Sequence, residues 1–203
     1  SMLPQITHLP FGNAICYSGY RAGQSPVTQI YPSYEEIVAD LHILSAHWQY
    51  LRLYDCSEHA ELVLRAIRTE GFAFKIMLGA DVAAEQSNPE CPWGADYPNA
   101  VLATNRAAND AQIDRLIELA NANTDIIFSV AVGNEATVDW GDHLVPVERL
   151  ISFVDRIKTN GVSQPVTFCE NYVPWVDKLE ALAAKLDIIS VHSYPVWEYK
   201  SID

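Results

Sequence analysis

The chain has 203 residues, of which 49% are apolar, 19% charged and 10% aromatic, a composition that excludes a disordered or fibrous polypeptide and fits one soluble globular domain. Thirteen Lys and Arg against 26 Asp and Glu give a formal charge of -13, which repels polyphosphate and anionic lipid, so nucleic acid is not an expected partner. The longest apolar runs, such as Ile126 to Val132, fall far short of the roughly 18 to 20 residues a membrane helix needs, so no membrane span is expected.

Short aliphatic runs alternate with longer segments of helical spacing, the pattern of a parallel sheet wrapped by helices. The first strand is Ala14 to Tyr17, followed by a loop through Gly19, Gly23 and Pro26 and a helix from Tyr34 to Ala46. Ser33 and Glu36 form a capping box at its start. A second strand, Tyr50 to Tyr54, leads into a helix over Ala60 to Thr69 that Gly71 closes as a left-handed cap. The third strand is Ala73 to Leu78, and a long loop rich in Pro, Asn and Gly follows it. The next helix, Ala107 to Ala122, carries Ile113, Leu116, Ile117 and Ala120 on one face, and the fourth strand runs from Ile126 to Val132. A helix over Val147 to Thr159 is closed by Asn160-Gly161. The fifth strand is Val166 to Cys169, a helix covers Val176 to Leu186, and Ile188 to His192 forms the sixth strand. The strands lack in-out alternation, so both faces should be buried in a parallel α/β architecture, either open sheet or barrel.

No linker or change of composition divides the chain, and one domain over 1–203 is expected. Ser1-Met2 reads as a remnant of cloning, and no secretion signal precedes Leu3. Cys16, Cys56, Cys91 and Cys169 form no C-x-x-C pair, which argues against zinc and thioredoxin-like chemistry and leaves buried thiols or one disulfide. Neither a P-loop nor G-x-G-x-x-G, H-E-x-x-H or G-x-S-x-G is present. His42 and His47, five apart, do not share a helix face as metal ligands.

In such folds chemistry collects in the loops after the carboxyl ends of the strands. The polar residues there are Tyr17, then Arg52, Tyr54 and Asp55, then Asp81, Asn134 and Glu135, Glu170 and Asn171, and finally His192 and Tyr194. Glu135 follows a run of apolar strand, where desolvation raises a carboxyl toward proton donation; the same spacing equally suits a helix N-terminal carboxylate facing solvent. Asn134 either binds a sugar hydroxyl or closes the turn. Arg52, among Tyr50, Leu51, Leu53 and Tyr54, must meet a carboxylate or a ligand. Trp93, Trp140, Trp175 and Trp197 fall in loops or at helix starts, where their flat faces can stack on sugar rings, whereas Trp48 reads as core.

Gly133-Asn134-Glu135, with Leu51-Arg52-Leu53-Tyr54-Asp55, Ile76-Met77-Leu78-Gly79 and Val191-His192-Ser193-Tyr194-Pro195, resembles glycoside hydrolase family 17, the β-1,3-glucanases and related glucosyltransferases. The opening Ile15 to Arg21 and Gln24-Ser25-Pro26 resemble its bacterial branch. The resemblance covers essentially the whole chain. It implies a (β/α)8 TIM barrel, of which this chain supplies about the first six βα units, that cleaves laminarin-like β-1,3-glucan with retention through two carboxylates about 5 to 5.5 Å apart. Glu135 matches the acid/base. Tyr17, Arg52, Tyr54, Asn134, Glu170, Asn171, His192, Tyr194 and Trp197 would line the cleft. The family's nucleophile follows a seventh strand that this sequence does not contain, so the resemblance implies a partner in the C-terminal remainder of the same barrel. No metal or organic cofactor is implied, and a polysaccharide substrate implies a secreted or periplasmic location. Three other readings remain open: transfer to a sugar acceptor, a glucan-binding barrel without turnover, and an unrelated open six-stranded sheet.

Overall fold

The strands Ala14–Cys16 (β1), Tyr50–Leu53 (β2), Lys75–Gly79 (β3), Ile127–Asn134 (β4), Val166–Asn171 (β5) and Ser190–His192 (β6) are the frame of the molecule, a computed structural model that describes residues 9–195 and 197–198. Ser1-Met2 lies outside the described residues. Every neighbouring pair is parallel, and the order is β1-β2-β3-β4-β5-β6. A doubly wound open sheet reverses its strand order at a switch point; strictly sequential parallel strands with helical crossovers instead curl one way. The fold is therefore the first six βα units of a (β/α)8 barrel, which removes the open-sheet reading.

The helices are Tyr34–Ser45 (α1), Glu58–Glu70 (α2), Asn99–Ala122 (α3), Val147–Thr159 (α4), Tyr172–Asp177 (α5) and Glu180–Ala183 (α6). Both halves of the Ser33/Glu36 capping box form at α1, and Gly71 ends α2 at φ 74°, a backbone angle that a Cβ disfavours. Apolar residues at three- and four-residue spacing bury one face of each long helix: Val63, Leu64 and Ile67 on α2, Leu150, Phe153, Val154 and Ile157 on α4. Each such side chain contributes roughly 1.5–3 kcal/mol on burial. Two elements differ from the sequence reading. α3 begins eight residues early, because its first turns are largely exposed and carry no apolar period to read. The helix expected over Val176 to Leu186 is two short ones, because the Asn171 side chain caps a helix starting at Tyr172 and the chain then turns to bury Leu179 completely.

Strand alternation sorts side chains between two faces. Leu51, Leu53, Ile76, Leu78, Val166 and Phe168 face the helices and are essentially inaccessible. Arg52, Met77, Phe128 and Cys16 face the barrel interior, where a depression opens beside β1. All four cysteines are free thiols. On the other edge, Ile189 and Val191 are about half exposed. Among the described residues no helix is long and apolar enough to cross a membrane.

Candidate active site

The carboxyl ends of β2, β4, β5 and β6 converge on Glu135. Its backbone is unusual because Gly133, at φ 140°, kinks the end of β4, the β4–β5 register shifts between Ala131 and Asn134, and Glu135 follows at φ 50°. Left-handed backbone at a residue with a Cβ costs roughly 1–2 kcal/mol and recurs where a side chain must be aimed. The Cys169 carbonyl holds the Glu135 amide at 2.8 Å, and the side chain turns into the cleft, 30% exposed.

A chain of hydrogen bonds runs behind it. Glu135 Oε1 lies 3.0 Å from His192 Nδ1, His192 Nε2 lies 3.2 Å from Arg52 Nη1, and Arg52 Nη2 donates to Asn134 Oδ1 at 2.6 Å. A guanidinium only donates, so His192 Nε2 accepts and Nδ1 carries the hydrogen given to Glu135. By the same rule Asn134 offers its carbonyl to Arg52 and keeps its NH2 for the cleft. The Arg52 guanidinium also lies 4.8 Å over the Tyr54 ring, whose phenol the neighbouring Cys16 thiol and desolvation push up to about 12. Arg52 thus meets an amide oxygen, an imidazole and an aromatic face, and no carboxylate among the described residues.

A second histidine, missed in the sequence, has the opposite surroundings. His143 Nε2 donates to the Asn134 carbonyl at 2.9 Å, and Nδ1 faces Asp142 Oδ1 at 2.7 Å. Both neighbours are acceptors, which the imidazolium satisfies at once. Burial works to lower its pKa, but Asp142, the Asn134 carbonyl and Asp81 outweigh it and the value is raised. Asp142 also accepts from Trp93 Nε1 at 3.0 Å and, through its carbonyl, from the Tyr97 hydroxyl at 2.6 Å. The Asn88 amide reaches the carbonyls of Asp139 and Gly141. The loop after β3 is thereby stapled to the loop after β4, and each carries a tryptophan of the cleft.

That cleft, an open volume of about 500 Å³, is lined by Pro92, Trp93, Glu135, Trp140, Asn171, Tyr194, Trp197 and Glu198. Exposure of 63% for Trp93, 42% for Trp140 and 84% for Trp197 leaves broad aromatic faces uncovered beside a carboxyl group. Such an arrangement can stack a pyranose ring and deliver a proton to it. Among the described residues no cluster of three or more His, Cys, Asp or Glu is arranged to hold a metal ion.

The structure places two expected cleft residues elsewhere. Tyr17 points to the helix layer, buried against His59, and its hydroxyl donates to Asp40 of α1 at 2.7 Å; burial and that carboxylate push the phenol up. Glu170 also faces outward, because Thr167, Cys169 and Asn171 take the interior positions of β5. Fully buried, it accepts from the Thr137 amide at 3.0 Å, the Thr137 hydroxyl at 2.7 Å and the Asn171 amide at 2.6 Å. Burial raises its pKa against the pull of those hydrogen bonds. Its role is to tie the loop that carries Glu135 to β5. Trp175 packs edge-on to Phe168 and donates to the Ser190 carbonyl, so it is no platform. Asp55 caps its own turn at Ser57, and Asp81 sits nearby with its carboxyl pushed up by desolvation and by Asp55. Strand parity would have removed Tyr17 and Glu170 in advance. No local signal marks His143 or Glu198.

Comparison with known proteins gives the same picture of the fold. Residues 14–203 match the family model described as the BtgE/BtgC glycoside hydrolase domain. A search of curated proteins returns no match. Among solved structures, an endo-laminarinase from Formosa Hel1_33_131 is 29% identical with a TM-score of 0.71, over 91% of this chain and 50% of that one. A glycoside hydrolase family 17 β-1,3-glucanosyltransferase from Rhizomucor miehei is 19% identical with a TM-score of 0.63, over 91% and 58%. A glycosyl hydrolase family 2 member from Bacteroides cellulosilyticus, 16% identical, has a TM-score of 0.58 over 93% and 22%. The chain thus spans about half the length of the laminarinase chain it matches.

Proposed function

The chain belongs to the BtgE/BtgC glycoside hydrolase domain family, and from that premise we propose that it is the acid/base-bearing part of a retaining glycosidase acting on β-1,3-glucan of the laminarin type, related to family 17 and to its bacterial branch. The observation that carries the reading is Glu135, aimed by a left-handed backbone into a cleft walled by Trp93, Trp140 and Trp197. The endo-laminarinase likeness and a family 17 β-1,3-glucanosyltransferase solved with laminaritriose, similar in fold, support the choice of glucan.

In the first half-reaction a carboxylate nucleophile attacks the anomeric carbon while Glu135 gives its proton to the departing glycosidic oxygen. His192 occupies Oε1, so the transferable proton rides on Oε2, and the same hydrogen bond stabilises the carboxylate left behind. Glu135 then takes a proton from water as it attacks the glycosyl ester, releasing the nucleophile. Asn134 offers its NH2 to the reacting sugar, and Arg52 acts through Asn134 and His192. Asn171, Tyr54, Tyr194 and Trp197 complete the wall. The nucleophile and the last strands come, in this proposal, from the C-terminal remainder of the barrel; the half-exposed Ile189 and Val191 and the open interior beside β1 are surfaces such strands would cover. A polymeric substrate supports a secreted or periplasmic site of action. The uncovered tryptophan faces beside Glu135 also favour a sugar acceptor in competition with water, which would make transfer part of the activity.

The test is reducing-sugar release from laminarin by a protein carrying the complete barrel, with Glu135→Gln alongside. A fall of at least about 100-fold in the variant is expected for loss of a general acid/base. Unchanged release would refute the assignment. Chromatography of products longer than the starting oligosaccharide separates transfer from hydrolysis.

A further inference from the structure

Glu198 is absent from every motif discussed above, yet the fold brings it to the cleft. Its backbone amide donates to the Tyr194 carbonyl at 2.8 Å, just beyond the end of β6. There it lines the same cavity as Glu135, Trp93, Trp140 and Trp197.

Its orientation is set by Asn171. The Asn171 carbonyl oxygen caps α5 by accepting from the Val173 amide at 3.0 Å, so its NH2 must point the other way, and it donates to Glu198 Oε1 at 2.6 Å. Asn171 is itself buried, 2% exposed, and cannot swing aside. The other oxygen, Oε2, is shielded from solvent and has no hydrogen-bond partner among the described residues. A shielded carboxylate oxygen without a donor costs free energy on the scale of a lost hydrogen bond, and such an atom in a cleft signals a donor brought by a ligand.

The surroundings specify that donor. Tryptophan faces take the C–H face of a pyranose, and a ring stacked there turns its hydroxyls outward at its edge, toward groups on the adjoining wall. In a gluco-configured β-pyranose all hydroxyls are equatorial, so the face stays flat and the edge carries several O–H donors. Oε1 is held by Asn171, so Oε2 is the acceptor left for them, and charge-assisted hydrogen bonds of this kind are about twice as strong as neutral ones. We propose that Glu198, oriented by Asn171, is the sugar-binding carboxylate of this cleft, accepting hydroxyl hydrogens from a gluco-configured ring stacked on the neighbouring tryptophans. The proposal rests on the β-glucan reading and adds to it the group that selects the ring.

The experiment uses the complete-barrel protein with Glu135→Gln, which blocks turnover, and titrates it with laminaritriose while following tryptophan fluorescence. Binding by this protein, weakened at least tenfold when Glu198→Gln is added and with an unchanged unfolding midpoint, is the expected result. Gln keeps the size and the carbonyl for Asn171 but replaces the second acceptor with a donor, so a purely structural role would move the midpoint and not the Kd. Laminaritriose binding that stays within twofold in the double variant overturns the Glu198 proposal and leaves the glucan reading standing. No binding by the Glu135→Gln protein at millimolar laminaritriose overturns both.

Discussion

Replacing Arg52 with Met keeps most of the side chain's volume and removes the donors that orient two cleft residues. Asn134 Oδ1 and His192 Nε2 each lose a charge-assisted hydrogen bond, of 2.6 and 3.2 Å. A full loss is worth about 1.5–3 kcal/mol per bond, but both sites are partly open to water, which reduces each to about 1 kcal/mol and the total to about 2. For a domain of this size that is a fall in Tm of roughly 4–8 °C. Under the proposed β-glucan activity the effect on rate is larger in kind. Without Arg52 the Asn134 amide can turn its carbonyl to the sugar, and His192 can adopt the tautomer that sets an acceptor against Glu135. If each misorientation costs about tenfold, kcat falls about 100-fold, or about 2.7 kcal/mol, with KM changing much less. The assay is steady-state laminarin hydrolysis by the complete barrel beside thermal unfolding, with Arg52→Lys recovering only part of the rate because one ammonium does not span both acceptors. A Tm loss with kcat within threefold of the parent would refute the positioning argument, and a rise in KM alone would mean that Arg52 binds substrate directly.

Glu135→Gly should be about 1 kcal/mol more stable than Glu135→Ala in urea unfolding, since only the former relieves the backbone at φ 50°; equal midpoints would show that the strain is not stored there. Glu85 is fully buried; burial works to raise its carboxyl, but hydrogen bonds from Arg149 and Asn109 and the charges of Arg149 and Arg106 hold it below the ordinary 4.5. Its stabilisation is therefore complete above pH 4.5 and lost as pH falls through the depressed value. Glu85→Gln should cost about 1.5 kcal/mol at pH 7, because Arg149 loses its buried charged partner but keeps Asp110 at 3.1 Å, with the gap closing in acid; a pH-independent gap contradicts this. His143 shifts the other way, above 6.5, so its pair with Asp142 stabilises fully below pH 6.5 and less as pH rises through the folded value. The stability difference between the parent and His143→Gln should accordingly shrink between pH 6 and pH 9, and an NMR titration should place the ring's midpoint above 6.5.

The aliphatic runs set the six strands and the helical periods set α1, α2 and α4 to within a few residues, because burial and capping are local and leave a pattern in neighbouring positions. Where no apolar period exists, as in the first turns of α3, the boundary was invisible. The resemblance carried by Gly133-Asn134-Glu135 and the second, third and sixth strand motifs named the barrel, but the sequential order β1-β2-β3-β4-β5-β6 is a fact of pairing that only the tertiary structure holds.

Residues at the strand ends were legible as a set and not as individuals. Tyr17 and Glu170 occupy the same kind of position as Arg52 and Asn171, yet one step along an extended chain turns a side chain from the interior to the helix layer, and apolar residues on both faces conceal that parity. What the amino-acid order determined by itself is the list of strands, most helices, and the polar residues that end the strands. What only the folded chain decided is which of them meet: Glu135 with His192, Arg52 with Asn134, Glu198 with Asn171. The reason is physical. Secondary structure answers to neighbours three or four residues away, whereas a hydrogen bond between residues 57 or 82 positions apart exists only after the sheet has curled and brought the strand ends together.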